Sequence, residues 1–543
     1  MDLRKLGLKL QKKYPKTKKM QPEVVAEKWL KMKANDNKPK EDVIRTPAIE
    51  VGNSIYTGKD HGEAIKNAQI NGEDTQDVNR ERDGEFITKQ GRIIDRKQAK
   101  KEFGLRHSHE IGMDRKFILV THGFWGLGFA IQEQRMNGTE VIVAYKPIEE
   151  KTGDENEQYD LQGEGFVNKV PLDEIMAKRE EYRDWYWVFD ANKNTDSGEI
   201  LREEGFKVWG GSEFQKMLED DREFGLEFAE SCGLHSPEHK DFSSVEEGIA
   251  FLEQNEDKAY VYKPNAQEES HLTTVLDTEE PYNNNLEMRE IIRSLGINDF
   301  ILQEKVKGVE VNVECFYQNG EPLFCQANIE SKKNHNGDLG YATGCSFDIC
   351  WEISLDSKLV EKTVKLFYPK LNAMQYTGFA DCNVIIGDDQ IYFLEFCFRN
   401  GYNAHCNLFH TISQKTYLQT VADLIDGVFE PHMKKGFGSS ITLFTEKPSK
   451  GLPIYIPEGH EKEVYIYTGY FEDGMHKMTG GDEEIVIATA HNYTIQTSFQ
   501  DAIKLADKIK FPNRYYRTDP DKTDFPSSPT RRFEALAAMD LLD

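Results

Sequence analysis

Alternation of apolar and polar positions appears first in short pieces near the start of the chain. Ala48–Thr57 alternates like a strand, and His61–Ala68 has helical spacing. Glu85–Ile94 (EFITKQGRII) reads as a hairpin, with Asp95 placed to cap a helix running to Phe103. At Lys116 the texture changes. Lys116–Thr121 (KFILVT) is a buried-strand run, followed by the glycine-rich turn HGFWGLG, a helical stretch and a strand at Glu140–Ala144. Trp185–Asp190 (WYWVFD) and Gly205–Gly210 read as further strands. Strands alternating with helices predict a parallel, doubly wound α/β unit.

Beyond it, Ser212 and Glu213 open a helix, the segment FSSVEEG from Phe242 starts another, and Tyr260–Lys263 is a strand ending on a lysine. From Phe300 to Gly427 the pattern predicts antiparallel strands at Phe300–Lys305, Glu310–Tyr317, Pro322–Asn328, Gly378–Ile386 and Gln390–Cys397. Gly436–Arg517 predicts short strands and a helix over Phe499–Ile509. The stretch DPDKTDFPSSP has linker composition and precedes a short amphipathic helix carrying Phe533, Leu536, Ala537 and Leu541. Pro22–Met32 suits a short helix inside a basic arm. The expected organisation is multidomain, α/β and α+β. It comprises an arm (1–42), a small α+β module (43–113), a parallel α/β domain (114–211), a mixed domain (212–430), a small C-terminal domain (431–519) and a linker with terminal helix (520–543).

Composition narrows the class. A chain of 543 residues, 38% hydrophobic and 11% aromatic, buries ordinary cores without disulfide or metal staples. No apolar run approaches the roughly 18–20 residues that span a bilayer. The N-terminus is basic but lacks the apolar core of a secretory signal. Eight cysteines with no CxxC pair suit a reducing compartment, so a cytoplasmic protein is expected. The net charge of −26 hides an asymmetry: residues 1–40 hold Arg4 and twelve lysines against four acidic residues, a net of +9. The acidic remainder repels nucleic acid. The arm offers a contact for an acidic or nucleic-acid partner, or folds back on its own acidic body.

Three chemical readings present themselves. The turn Gly123-Phe-Trp-Gly126-Leu-Gly128 has the wrong spacing for a dinucleotide fingerprint, and no acidic residue ends the second strand to hold a ribose. Seven cysteines between Cys315 and Cys406 fit no zinc template and read as small buried hydrophobes. His405 and His410 read as packing or surface groups beside a pocket. The third reading is stronger because it is an ordered set: Lys263 at a strand end, the charged edge Gln303-Glu304-Lys305-Val306, Glu310 after a glycine, then Asn383 and Glu395 on adjacent strands. Such a set suits ATP. Lysine neutralises phosphate, edge-strand backbone reads adenine, a carboxylate takes the ribose hydroxyls, and oxygen ligands hold magnesium against the phosphates.

The order and spacing of these residues resemble the ATP-grasp superfamily, specifically the glycinamide ribonucleotide synthetases (phosphoribosylamine–glycine ligases), from about Lys116 to Asp519. The segment KVWGGSEFQKMLEDDREFGLEFAESCGLHSPEH resembles that family's entry into the ATP-grasp domain, with Arg222 where the family has a phosphate-contacting lysine. AYVYKPN resembles the strand ending in the ATP lysine, Lys263. FILQEKVKGVEVNV resembles the hinge, which implies Gln303, Glu304 and Val306 at the adenine and Glu310 at the ribose. NIESKKNHNGDLGYATG resembles the glycine-binding stretch, implying substrate roles for Glu330, Lys332, Thr343 and Gly344, with Asp338 and Gly340 retained. YTGFADCNVI and FLEFCFRNGYNAH resemble the metal strands. They imply Glu395 as the principal magnesium carboxylate, Arg399 as the holder of the amino-acid carboxylate, and Asn400 and Asn403 beside the substrate. Lys263, Arg399 and Lys332 are thereby the expected catalytic charges.

The departures are specific. The family's glycine-rich phosphate loop is replaced by Asn265-Ala-Gln-Glu-Glu-Ser270-His271, leaving Ser270 and His271 to reach the phosphates. The metal asparagine falls on Cys397, a poor ligand for hard magnesium, so Asn383 or Asp381 on the neighbouring strand must complete the shell. Tyr402, Asn403 and Ala404 replace the acidic pair that closes the substrate motif. The resemblance implies an ATP- and magnesium-dependent carboxylate–amine ligase. It would form an amide through an acyl phosphate, joining an amino acid such as glycine to an amine such as phosphoribosylamine, in purine biosynthesis. The alternative is a catalytically degenerate ATP-grasp scaffold that binds nucleotide or a partner, and a third is a ligase tethered to nucleic acid by the arm.

Overall fold

The structure, a computed structural model, describes residues 115–542 apart from 148–158, 266–271, 277–279, 389, 402, 404–412, 414, 430–433 and 526, together with the backbone of four strands between residues 44 and 95. The basic arm, the helices expected at 22–32, 61–68 and 95–103, and Ser270, His271, Tyr402, Ala404, His405, Cys406 and His410 lie outside the described residues. The four N-terminal strands pair antiparallel in the order Ser54–Thr57, Ile44–Val51, Gly84–Thr88, Ile93–Asp95. The single strand expected over Ala48–Thr57 is two strands, Ile44–Val51 and Ser54–Thr57, paired antiparallel. The expected hairpin at Glu85–Ile94 is present.

The parallel unit follows the sequence pattern. Strands β1 (Phe117–Thr121), β2 (Val141–Tyr145), β3 (Asn168–Pro171), β4 (Tyr186–Phe189) and β5 (Lys207–Trp209) form a parallel sheet in the order β3-β2-β1-β4-β5. β1 is buried along its whole length, the reason its sequence shows no alternation. Helix α1 (Leu127–Asn137) packs on β2, and α2 (Glu213–Asp220) leaves the sheet through a capping box in which the Ser212 hydroxyl accepts from the Gln215 amide at 3.1 Å. Helix α3 (Arg222–Ser231) continues directly from it, capped by Asp221.

A smaller lobe comes next. Strands β6 (His239–Phe242), β7 (Tyr260–Pro264) and β8 (Phe300–Glu304) pair antiparallel in the order β6-β8-β7. Helices α4 (Val245–Gln254) and α5 (Pro281–Leu295) cover them over a core of its own that includes Phe242, Tyr262, Met288, Ile292 and Phe300.

The rest of the chain is built on one large antiparallel sheet. Its strands β9 (Val309–Gln318), β10 (Glu321–His335), β11 (Leu339–Ile353), β12 (Gly378–Ile386), β13 (Ile391–Phe396), β14 (Phe437–Thr445), β15 (Val464–Ile466) and β16 (Glu484–Asn492) lie in the order β13-β12-β9-β10-β11-β14-β16-β15. Two features depart from expectation. β11 is a 15-residue strand where no strand was expected, and β10 runs to His335 to meet it. The pairing of β11 with β14 carries the sheet across residue 430 into the region expected as a separate C-terminal domain.

Helix α6 (Tyr417–Asp426) packs against α1, and α7 (Ile495–Lys508) covers β14 and β16. The segment expected as a linker is packed. Phe525, Ser528, Pro529 and Thr530 are buried and lead into α8 (Pro529–Ala538), which lies on β9 and β10 with Leu536 and Leu541 in the main core.

Candidate active site

Side chains two apart on a strand share a face, and in the large sheet one face is polar across four strands. It carries Glu310, Asn312 and Glu314 on β9, Gln326, Asn328, Glu330 and Lys332 on β10, Asp381 and Asn383 on β12, and Glu395 on β13. The register aligns them in rows: Glu395 opposite Asn383, Asn383 opposite Asn312, and Asn312 opposite Asn328. The neighbouring row sets Asp381 against Glu314 and Glu314 against Gln326. The intervening Val311, Val313, Cys315, Ala327, Ile329, Cys382 and Val384 are buried on the other face, so the cysteines pack as small hydrophobes.

The two rows differ chemically. Glu314 is buried and accepts from the Gln326 and Asn328 amides, the latter at 2.8 Å. Burial first, then Asp381, Asp348 and Glu330, push its carboxyl well above the usual range. Burial, Glu330 and Glu395 do the same to Asp381, which favours the protonated carboxyl in this deeper pair. The outer row stays ready for charge. Burial opposes the Glu395 charge, but Lys332, Lys263, Arg222 and Arg399 together hold its carboxyl below the usual range. Asn383 donates to Glu310 at 3.1 Å, and its amide oxygen is buried without a hydrogen-bond partner.

Cations converge on this face from the smaller lobe, from α3 and from β10 itself. Lys263 projects from β7, and burial, with Arg222 beside it, brings its pKa down to about 8 against the pull of Glu395 and Glu310. Arg222 is the first residue of α3, and its buried Nε has no hydrogen-bond partner. A cavity of about 600 Å³ opens beside it, walled by Glu223, Glu227, His239, Asn265 and Asp299. Lys332 Nζ lies 3.4 Å from Glu330. The sequence-identified Lys263, Arg222, Glu310, Glu330, Lys332, Asn383 and Glu395 are thus brought together, with Asp381 beneath them.

Other expected site residues have partners within the chain. Gln303 and Glu304 are not on an edge: β8 is the middle strand of its sheet, and the Glu304 amide donates to Glu238 O at 2.7 Å. The Glu304 carboxylate faces Lys258 at 2.8 Å, and Lys305 N–H is taken by Ala259 O. Of the expected adenine contacts, Val306 alone follows the paired stretch. Asn400 and Asn403 have packing partners: Tyr417 donates to Asn400 at 2.7 Å, and Asn403 donates to Thr442 at 2.9 Å and Ser440 at 3.2 Å. Arg399 Nε is 2.8 Å from Glu219 of this chain. The Thr343 hydroxyl donates to Lys332 O, and Gly344 faces Glu484, which burial and Asp482 raise to about 7. Asp338 is held by Arg517 at 3.0 Å and by the Ser527 amide at 2.9 Å.

Two features escaped the sequence reading. Asp190, at the end of β4, accepts from the amides of His122 at 3.0 Å and Gly126 at 2.7 Å and from the Thr121 hydroxyl at 2.5 Å. Those turn amides are therefore spent on the chain's own carboxylate, and a Cβ at Gly126 would lie 2.9 Å from Asp190 Cβ. The turn presents Trp125 toward Arg399 at the carboxyl ends of the parallel strands, where the strand order reverses. The signal was present as an acid closing WYWVFD. The second feature is Arg532, from the segment expected as a tail, which reaches the carbonyls of Glu310 and Glu330.

The donor set fits magnesium in part. Glu395 and the orphaned Asn383 oxygen are hard ligands on facing strands, whereas burial holds Cys397 as a thiol.

A three-stranded lobe placed over one face of a larger antiparallel sheet, following a parallel α/β unit, is the architecture of the ATP-grasp fold. Residues 220–403 match the family described as "Phosphoribosylglycinamide synthetase, ATP-grasp (A) domain". The chain is distantly similar to phosphoribosylamine–glycine ligase: that of Clostridium acetobutylicum is 19% identical over 344 residues, 60% of this chain and 80% of that protein. The solved phosphoribosylamine–glycine ligase of Thermotoga maritima superposes with a TM-score of 0.55 at 18% identity, covering 75% of this chain and 99% of that one. The biotin carboxylase of Campylobacter jejuni gives 0.52 at 12% identity, covering 75% and 94%. At these identities the structural likeness is one of fold. No helix among the described residues is long and apolar enough to cross a membrane.

Proposed function

We propose that the chain is an ATP-dependent carboxylate–amine ligase resembling phosphoribosylamine–glycine ligase. The observation that carries this reading is the convergence of Lys263, Arg222 and Lys332 on Glu395, Asn383 and Glu310 in one cleft between the two sheets. Lys263 and Arg222 neutralise the triphosphate, Glu310 accepts from ribose hydroxyls, and Val306 lies at the adenine. Glu395 and Asn383 would hold magnesium, which supplies charge neutralisation between the phosphates when bound. No side-chain nucleophile is required. The substrate carboxylate attacks the γ-phosphate, ADP leaves, and an amine displaces phosphate from the acyl phosphate, so that the chain's own groups position and stabilise charge.

Lys332, Thr343, Gly344 and Arg399 border the carboxylate substrate, with the Trp125 turn beside Arg399. Arg399 reaches a substrate carboxylate by exchanging it for Glu219. That internal pair, with the Cys397 thiol, favours the second reading, a nucleotide-binding scaffold without turnover. ADP release with ATP and magnesium, screened against amino acids with and without phosphoribosylamine, decides between them. Release that depends on both co-substrates supports the ligase. Tight ATP binding with no release under any combination supports the scaffold.

A further inference from the structure

The carbonyl groups of Glu310 and Glu330 share one partner that belongs to neither sheet lobe. Pairing between β9 and β10 stops at Asn312 with Asn328, although both strands continue: Glu310 still pairs with Ile385, and Glu330 with Asp348. The two strands therefore part at the level where their side chains enter the cleft. Into that parting comes Arg532 of α8, whose Nη1 donates to Glu330 O at 2.9 Å and whose Nη2 donates to Glu310 O. The helix lies on the opposite face of the sheet from the carboxylates, because Phe533 packs edge-on against Trp351 at 5.0 Å and Phe437 at 5.2 Å.

We infer that Arg532 is a positioning residue of the active site: its guanidinium clips the parted ends of β9 and β10 and so fixes the spacing between Glu310 and the Glu330–Lys332 pair.

Three facts support this. A planar guanidinium offers one N–H group to each carbonyl in a fixed fork, a geometry that an ammonium does not hold. Its fixed charge faces Glu310, Glu330 and Asp338, the acids whose mutual repulsion would otherwise open the gap further. The same stretch of β10 is held one step along by Arg517, which donates to Lys333 O at 3.2 Å and Ser331 Oγ at 3.3 Å. The C-terminal segment thus braces the floor of the site from behind, joining the ribose position to the carboxylate-substrate position. The assignment of those two positions rests on the proposed ligase reading; the clip itself does not.

The test uses the full chain with Arg532→Ala, Arg532→Lys and Phe533→Ala. It reads magnesium-ATP affinity by calorimetry and amide hydrogen exchange over residues 309–312 and 328–332. Arg532→Ala is expected to weaken ATP by about 10-fold and to speed exchange in both segments. Free guanidinium at low millimolar concentration restores both, and methylammonium does not. Arg532→Lys stays weak, and carries the test should the alanine variant fail to fold. Phe533→Ala lowers the melting temperature but leaves ATP affinity unchanged. Equal affinity losses in Arg532→Ala and Phe533→Ala, or no guanidinium rescue, would overturn the inference. If the wild type binds no ATP, the ligase reading fails, and the exchange data alone decide the clip: acceleration rescued by guanidinium upholds it, and unchanged exchange refutes it.

Discussion

Two buried arginines, Arg517 and Arg222, are opposite cases of the same chemistry. Arg517 is 0% exposed and satisfied on every side: Asp519 binds it through both oxygens at 2.7 and 2.8 Å, Asp338 lies at 3.0 Å, and Phe347 and Phe525 flank it at 4.8 and 5.1 Å. Arg222 is held in a cleft where burial depresses its pKa, its Nε has no hydrogen-bond partner, and Glu395 is the acid that offsets its charge. A structural ion network closes upon itself. A binding cluster keeps cations close together, against their own repulsion, until an anion arrives.

That contrast predicts opposite mutational signatures. Arg517→Met leaves Asp338 and Asp519 without their cation and should destabilise the fold by about 3–5 kcal/mol in urea unfolding. Arg222→Met should change stability by less than about 0.5 kcal/mol while weakening ATP binding. Equal stability losses would erase the distinction. Next in size, Lys263→Ala and Glu310→Ala should each cost about 1.5–3 kcal/mol of ATP affinity in calorimetry, with the melting curve unchanged or raised for Lys263→Ala.

The pH dependence of Lys263 sharpens the comparison further. Its pKa in the fold, about 8, is below the ordinary 10.5, so the unfolded chain keeps this proton over a range where the fold has lost it. Stability therefore gains from this group as pH rises from 8 to 10.5, while ATP affinity falls through the same window. A Lys263→Arg variant should flatten the affinity profile. The smallest effects belong to the deeper row. Asp381→Asn and Cys397→Ala should shift ATP affinity by less than about 0.5 kcal/mol, because burial pushes the Asp381 carboxyl and the Cys397 thiol toward their neutral forms. Asn383→Ala should exceed both.

Much of this was legible in the chain because it is local. Continuous apolar runs marked β1 and β4, Ser212 and Ser244 marked helix starts, and the spacing of Lys263, Glu310, Asn383 and Glu395 marked the cleft. What failed was long-range. Glu304 looks like an edge residue until β6 pairs on its far side, and β11 is hidden by Gly340, Gly344 and the exposed stretch between them. Asn403 reads as a ligand until Ser440 and Thr442, on a strand nearly forty residues later, claim its amide. The tail DPDKTDFPSSP has the composition of a linker, yet Asp519 and Ser528 are buried in hydrogen bonds with Arg517 and Lys522 O. Composition reports solubility of a segment, and here partners far along the chain decide its burial.

The central claim is that the outer polar row, Glu395 with Asn383, exists to seat a magnesium-bound triphosphate against Lys263 and Arg222. Calorimetric ATP affinity, measured with magnesium and again with chelator for wild type and Glu395→Gln, tests it most directly. The wild type should lose affinity sharply on chelation, whereas Glu395→Gln should bind weakly and almost equally in both conditions. Wild-type affinity that ignores magnesium, and is matched by Glu395→Gln, would contradict the account.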